Sequence, residues 1–371
     1  HAAGVKMQSK LTLLISFLGI LLLSSCSNEQ SLPVTPVEMM PKGTIFFNAY
    51  PSNSPETRMY MVTMPERKIQ EMGYENSNSG YAISNDGSLI ALTCFDDSDA
   101  ICVLKTSSII DKTKFVSESN DVGYGDIFFD DIKRFSFPDK CVKINEQPPN
   151  YDYPLRQMSW SYDNSKISII CGDKWEESIL CIIGMDGTSN CYPETTEKRI
   201  TFVAWSPVND TLAVSSTTYV NMFITSPMVY LFEPKSGDFQ PLFSGFAPAW
   251  SPDGNRIASF FIYQTEPIFT YGMQVYSLED MKNMTLLPNE QSKLAGFSLR
   301  PEVAERNNDC TISWSMDESQ LVFSSRVRHF NSSNLLLYDF DSGKIQFLID
   351  PDLLGAIHTY PQWTPFELNG E

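Results

Sequence analysis

Apolar and polar positions alternate along this chain in short runs, and the runs share one punctuation: a tryptophan-led strand, a tight polar turn, then a β-branched or apolar strand. The clearest copy is Trp250-Ser251-Pro252-Asp253-Gly254-Asn255-Arg256-Ile257-Ala258-Ser259. Pro and Asp-Gly supply the turn dihedrals, and the flanking alternation is that of a half-buried hairpin. Further copies read Trp160-Ser161-Tyr162-Asp163-Asn164, Trp205-Ser206-Pro207-Val208-Asn209-Asp210, Trp314-Ser315-Met316-Asp317-Glu318 and a terminal Trp363-Thr364-Pro365. A copy without its Trp precedes them at Ile83-Ser84-Asn85-Asp86-Gly87-Ser88-Leu89-Ile90-Ala91.

Successive anchor tryptophans lie 45, 45, 64 and 49 residues apart. Periods near 45 fit the four-stranded blades of a β-propeller. The wider gap between Ser84 and Ser161 is read as an insertion over about 116–154, a degenerate extra blade being the rival reading. The last anchor has no strands after it, and the run Thr44-Ile45-Phe46-Phe47-Asn48-Ala49-Tyr50 has no anchor before it. Pairing the 361–365 strand with the blade over about 44–72 closes the ring and leaves no free edge. The expected fold is an all-β, six-bladed propeller of four-stranded antiparallel blades over 42–371.

The Trp-Ser-Pro-Asp-Gly anchor and an aromatic-rich third strand such as Met228-Val229-Tyr230-Leu231-Phe232 resemble the TolB-like six-bladed propellers from about Pro41 onward. The resemblance implies the fold. It leaves function open, because such propellers serve as binding platforms, as lyases or hydrolases, and as regulatory domains of peptidases.

Lys10 precedes an uncharged run, Leu11 to Leu23, short for a membrane span and suited to the core of a signal peptide. It ends in Leu23-Ser24-Ser25-Cys26, which resembles a bacterial lipobox with Cys26 as the lipid-attachment residue. Residues 1–25 are therefore expected to be a lipoprotein-type signal peptide with an upstream extension ahead of Met7, and 26–41 a polar tether to a membrane. The expected location is the bacterial cell envelope, on the periplasmic face or at the cell surface.

Net charge is −18, which disfavours nucleic acid as a ligand because phosphate binding needs a basic footprint. Seven cysteines remain after Cys26; Cys94 with Cys102, and Cys171 with Cys181, could each face across a hairpin, or be buried thiols. No cofactor or metal site is expected: Cys-x-x-Cys spacing is absent, and apart from His1 only His329 and His358 occur. No Gly-x-Ser-x-Gly elbow, phosphate loop or dinucleotide fingerprint is present. No catalytic residue is assigned.

In a propeller the 1–2 and 3–4 turns lie on one face, and the 2–3 and inter-blade loops on the other. The first set reads as short and the second as long, including 172–178, 216–227, 263–272, 326–334, 116–154 and 289–308. Long loops on a rigid scaffold carry binding residues, so Trp175, Tyr219, Tyr263, Tyr271, Arg326, Arg328 and His329 are the candidates. The leading expectation is a non-catalytic lipoprotein offering this face to an envelope protein, peptide or glycan. The alternative is a polysaccharide lyase or glycoside hydrolase using carboxylates, tyrosine or His329 near the axis.

Overall fold

A computed structural model describes residues 42–51, 57–76, 80–94, 100–108, 133–136, 138, 157–172, 178–192, 199–220, 223–264, 270–286, 311–326, 333–349 and 356–365. They form six four-stranded antiparallel sheets, one per anchor, in the propeller order expected. The closing blade comprises β1 (Gly43–Pro51), β2 (Thr57–Met64) and β3 (Lys68–Asn76). Its innermost strand is the last of the chain, β24 (Ala356–Thr364), with Thr44 opposite Thr364 and Ile45 opposite Trp363.

The first blade holds β4 (Tyr81–Ile83), β5 (Leu89–Thr93), β6 (Ala100–Lys105) and β7 (Lys133–Ser136). The second holds β8 (Met158–Trp160), β9 (Lys166–Gly172), β10 (Ser178–Gly184) and β11 (Ser189–Tyr192). The third has β12 (Arg199–Trp205), β13 (Leu212–Val220), β14 (Phe223–Glu233) and β15 (Asp238–Phe243). The fourth has β16 (Phe246–Trp250), β17 (Arg256–Gln264), β18 (Thr270–Ser277) and β19 (Lys282–Leu286). The fifth has β20 (Ile312–Trp314), β21 (Gln320–Arg326), β22 (Ser333–Asp339) and β23 (Lys344–Phe347).

Two sequence expectations change. The 116–154 stretch, expected as an inter-blade insertion, contributes a strand: β7 lies within it and pairs with β6 as the fourth strand of the first blade. Lys105 at the end of β6 pairs with Leu89 beside the anchor turn, so the 106–132 connection leaves from the anchor-turn face, not the face assigned to long loops. The 2–3 loops also shrink, because their flanks are strand. Residues read as the 216–227 loop pair as Thr218 with Thr225, Tyr219 with Ile224 and Val220 with Phe223.

Alternating residues of each sheet pack against the neighbouring blade. Phe46, Phe232, Phe246 and Phe323 are fully buried, and Phe246, Phe260 and Phe323 form a chain of ring contacts across the fourth and fifth blades. Burying one such ring contributes about 1.5–3 kcal/mol. Among the described residues no helix is long and apolar enough to cross a membrane.

Candidate functional site

The anchor turn is built from its own short side chains. The hydroxyls of Ser84, Ser161, Ser251 and Ser315 donate to the aspartate two residues on, at 2.6, 2.7, 2.5 and 2.7 Å. The same hydroxyls accept the backbone N–H of Leu89, Lys166, Arg256 and Gln320, which begin the next strand, at 2.9–3.0 Å. Each aspartate also accepts a backbone N–H, from Ser88, Ser165, Asn255 or Ser319. Burial pushes the Asp86, Asp163 and Asp253 carboxyls up, but the serine and backbone hydrogen bonds outweigh it and hold all three below the ordinary range. The third blade replaces the aspartate with Val208, and Asn209 caps Thr211 N instead at 3.1 Å.

The residue directly after the anchor serine or threonine is Asn85, Tyr162, Pro207, Pro252, Met316 or Pro365, and all of these but Tyr162 line the mouth of a central channel. This collar is mostly apolar. Tyr162, Met316 and the adjacent Val208 are 44, 39 and 49% exposed, three of the five large apolar residues so exposed among those described. Inside it lies a central channel of about 390 Å³, running from the layer of Gly80, Gln157, Phe202, Ala247 and Thr311 toward the collar. Among the described residues, no Asp, Glu, Lys, Arg or His lines it. Its titratable member, Tyr81, is buried, and burial holds its phenol protonated well above the usual range.

Neighbouring blades are latched by the residue before each anchor, in one of two ways. Where it is alanine, the next tryptophan reaches across: the Nε1–H of Trp160, Trp250 and Trp314 donates to the carbonyl of Ala82, Ala204 and Ala249, each at 3.0 Å. Where it is polar, its side chain takes the next anchor's backbone N–H instead. Ser159 accepts from Trp205 and Ser313 from Trp363, both at 2.9 Å. Gln362 accepts from Ile83 at 2.8 Å and donates to the Tyr81 carbonyl at 2.9 Å.

The second kind of latch leaves an indole over. Trp363 Nε1 turns to the Lys42 carbonyl at 3.2 Å, but Trp205 Nε1 has no partner, and the Ser159 carbonyl accepts from Ser168. Gln157 Nε2 and Thr311 Oγ1, in the inner layer of the channel, are also without partners. Residues that line the channel thus hold three buried polar atoms without partners, behind a described lining that carries no charged side chain, which suits a ligand of no net charge.

Of the residues expected to bind, Cys26, Trp175, Arg328 and His329 lie outside the described residues. Tyr219 falls on β13, Tyr263 on β17, Tyr271 on β18 and Arg326 at the end of β21, so their backbones are strand, at blade ends opposite the anchor turns. Sequence reasoning missed the collar and the channel groups. The available signal was the position before each anchor, where Ser159, Ser313 and Gln362 interrupt a run of alanines.

No family model matches the sequence, and no curated protein matches it. Among solved structures, TolB from Acinetobacter baumannii is similar at 12% identity with a TM-score of 0.56, over 87% of this chain and 67% of that one. A TolB candidate from Agrobacterium tumefaciens is similar at 12% identity and TM-score 0.49, over 88% and 99%. Oligogalacturonate lyase in complex with manganese is similar at 10% identity and TM-score 0.47, over 83% and 85%. The first likeness shows a shared fold; the other two are too loose to carry an argument.

Proposed function

We propose that this chain, a TolB-like six-bladed propeller in fold, is a non-catalytic binding platform that receives a neutral peptide segment of an envelope protein at the mouth of its central channel. The observation that carries this reading is the central channel, whose described lining holds no charged side chain and opens within a mostly apolar collar. An uncharged peptide backbone fits such a lining, and apolar side chains suit Pro207, Pro252 and Met316 at its rim. A sugar would need open aromatic faces, whereas Trp160, Trp205, Trp314 and Trp363 are buried in the seams. The uncharged lining favours binding over acid–base chemistry at this site.

The Leu11 to Leu23 run and Cys26 support attachment to an envelope membrane through acyl chains. Labelled fatty acid should enter the wild-type chain in a bacterial host and not the Cys26→Ala variant. The binding reading is tested by titrating the protein with a library of neutral, proline- and aliphatic-rich peptides and, in parallel, with neutral oligosaccharides. Peptide binding should weaken about tenfold, or about 1.4 kcal/mol, in Met316→Ala, which removes an exposed apolar contact at the channel rim. Saccharide binding or turnover, with peptides inert, would overturn the reading in favour of the enzyme.

A further inference from the structure

A groove of about 520 Å³ opens between the second and third blades, away from the central channel. Its volume falls within the range of small-ligand clefts, about 300–1,000 Å³. Strand register decides which side chains reach it. Ile182 stands opposite Asn190, Leu180 opposite Tyr192 and Gly184 opposite Lys166, so these residues share one side of the sheet. Leu180 and Ile182 pack against Val203, Trp205 and Phe232, which makes this the side facing the third blade. Cys181 faces the other way, and its disulfide to Cys191, outside the pairings expected from the sequence, ties the backs of β10 and β11 together. The expected Cys94–Cys102 disulfide is present in the first blade. Gly184 gives the groove a carboxylate: a Cβ there would come within 2.5 Å of Asp186 Oδ1 and 2.7 Å of Thr188 Oγ1, so the Asp186 side chain folds back over the space a larger residue would fill. Asp186 Oδ1 accepts the Thr188 N–H and hydroxyl at 3.0 and 2.7 Å, bonds that hold its carboxyl below the ordinary range. On the facing wall both Asp210 carboxylate oxygens accept from Lys166 Nζ at 2.9 Å, and the Pro234 carbonyl accepts the Tyr192 hydroxyl at 2.8 Å.

We propose that this groove binds a neutral saccharide, at a site separate from the peptide site at the channel mouth. The lining holds two lysines, Lys166 and Lys235, and two aspartates, Asp186 and Asp210, so it carries no net charge. An anionic or cationic ligand would meet a like charge in it, which is unfavourable. Lys166 and Asp210 are committed to each other, whereas Asp186, Asn190 and Lys235 are exposed and remain for a ligand. These three offer an acceptor, an amide that both donates and accepts, and a donor. A sugar hydroxyl both donates and accepts, so a ring bearing several can answer all three, and its bond to the Asp186 carboxylate is of the stronger, charge-assisted kind. The C–H face of the ring needs apolar surface, which the half-buried Tyr192, Met185 and Pro234 supply beside Ile182. The open aromatic surface that the buried anchor tryptophans deny a sugar in the channel is thus present here.

The test titrates the full chain calorimetrically with maltotriose, cellotriose, mannotriose and galactotriose, and with trimers of galacturonate and glucosamine as the anionic and cationic counterparts. At least one neutral trisaccharide should bind, more tightly than either charged trimer. Its affinity should fall about tenfold or more in Asp186→Asn and in Asn190→Ala, exposed positions where the fold tolerates the change. Hydrogen exchange on the wild-type chain should slow over 182–192 when the sugar is bound, a readout that needs no variant. Failure of every neutral trisaccharide to bind, preference for a charged trimer, undiminished affinity in both variants, or protection confined to the strands of the channel would each overturn the proposal. Excess channel-binding peptide should leave the saccharide affinity unchanged, and competition would place the sugar in the channel and overturn it too. The saccharide titration is read without peptide, so it succeeds or fails independently of the peptide reading.

Discussion

The anchor tryptophans look equivalent as residues, but their hydrogen bonds divide them. Trp314 and Trp250 each donate the indole N–H to an alanine carbonyl across a blade seam, whereas the Trp205 indole has no partner. Replacement by phenylalanine keeps most of the ring and removes that donor. Trp314→Phe should cost about 1–2 kcal/mol in urea unfolding, since a buried carbonyl loses its partner. Trp205→Phe should cost less than Trp314→Phe, since it removes no hydrogen bond; equal losses would contradict the assignment. The anchor aspartates give a pH test. Asp86, Asp163 and Asp253 have carboxyls held below the ordinary range by hydrogen bonds, against the opposing effect of burial. Their stabilisation is therefore complete above the unfolded value, about pH 4, and is lost as pH falls through the lower folded values. Acid also relieves the repulsion of a chain with net charge −18, so the comparison must be against a variant. The stability difference between wild type and Asp253→Asn should be constant from pH 7 to 5 and shrink below pH 4.

Elements differ in how much of themselves they show in sequence. First and second strands were legible because a buried tryptophan, a serine–aspartate turn and an alternating strand recur together, as at Trp250 to Ser259. Fourth strands were not: β19 exposes four of its five residues, and β11 is exposed or half-buried throughout, so neither carries an inward period to read. The outer reach of β13 and β14 was mistaken for loop because Thr217-Thr218-Tyr219-Val220 is β-branched and aromatic without alternation. The channel lay further from view, because its groups come from strands far apart in the chain and their meaning rests on which partners they lack. Seam chemistry was hidden for the same reason. Lys166 opens β9 and pairs with Asp210 of the next blade at 2.9 Å while lying 5.7 Å from the Trp205 ring. Arg256 opens β17 and repeats the device with Glu318 and the Trp314 ring.

At the scale of the molecule, ring closure falls to β24. That strand supplies the closing blade with its innermost element and takes part in two latches, Ser313 to Trp363 and Gln362 to Ile83 and Tyr81. The first and last residues of this ring are far apart in sequence, so the chain-entropy cost of joining them falls on this single strand pairing. Gln362 is the one latch residue that uses both ends of its side chain, which makes it the most informative position. Gln362→Ala removes two hydrogen bonds and leaves the Ile83 N–H and Tyr81 carbonyl to find other partners, an expected cost of about 1–3 kcal/mol in urea unfolding. Ser313→Ala, which opens the other side of β24 by one bond, should cost about 1 kcal/mol. Because both act on the same strand, the double variant should lose more than the sum of the two, as one loosened side makes the other easier to open. Strict additivity would mean that the two sides of β24 open independently and that closure is not a single cooperative event.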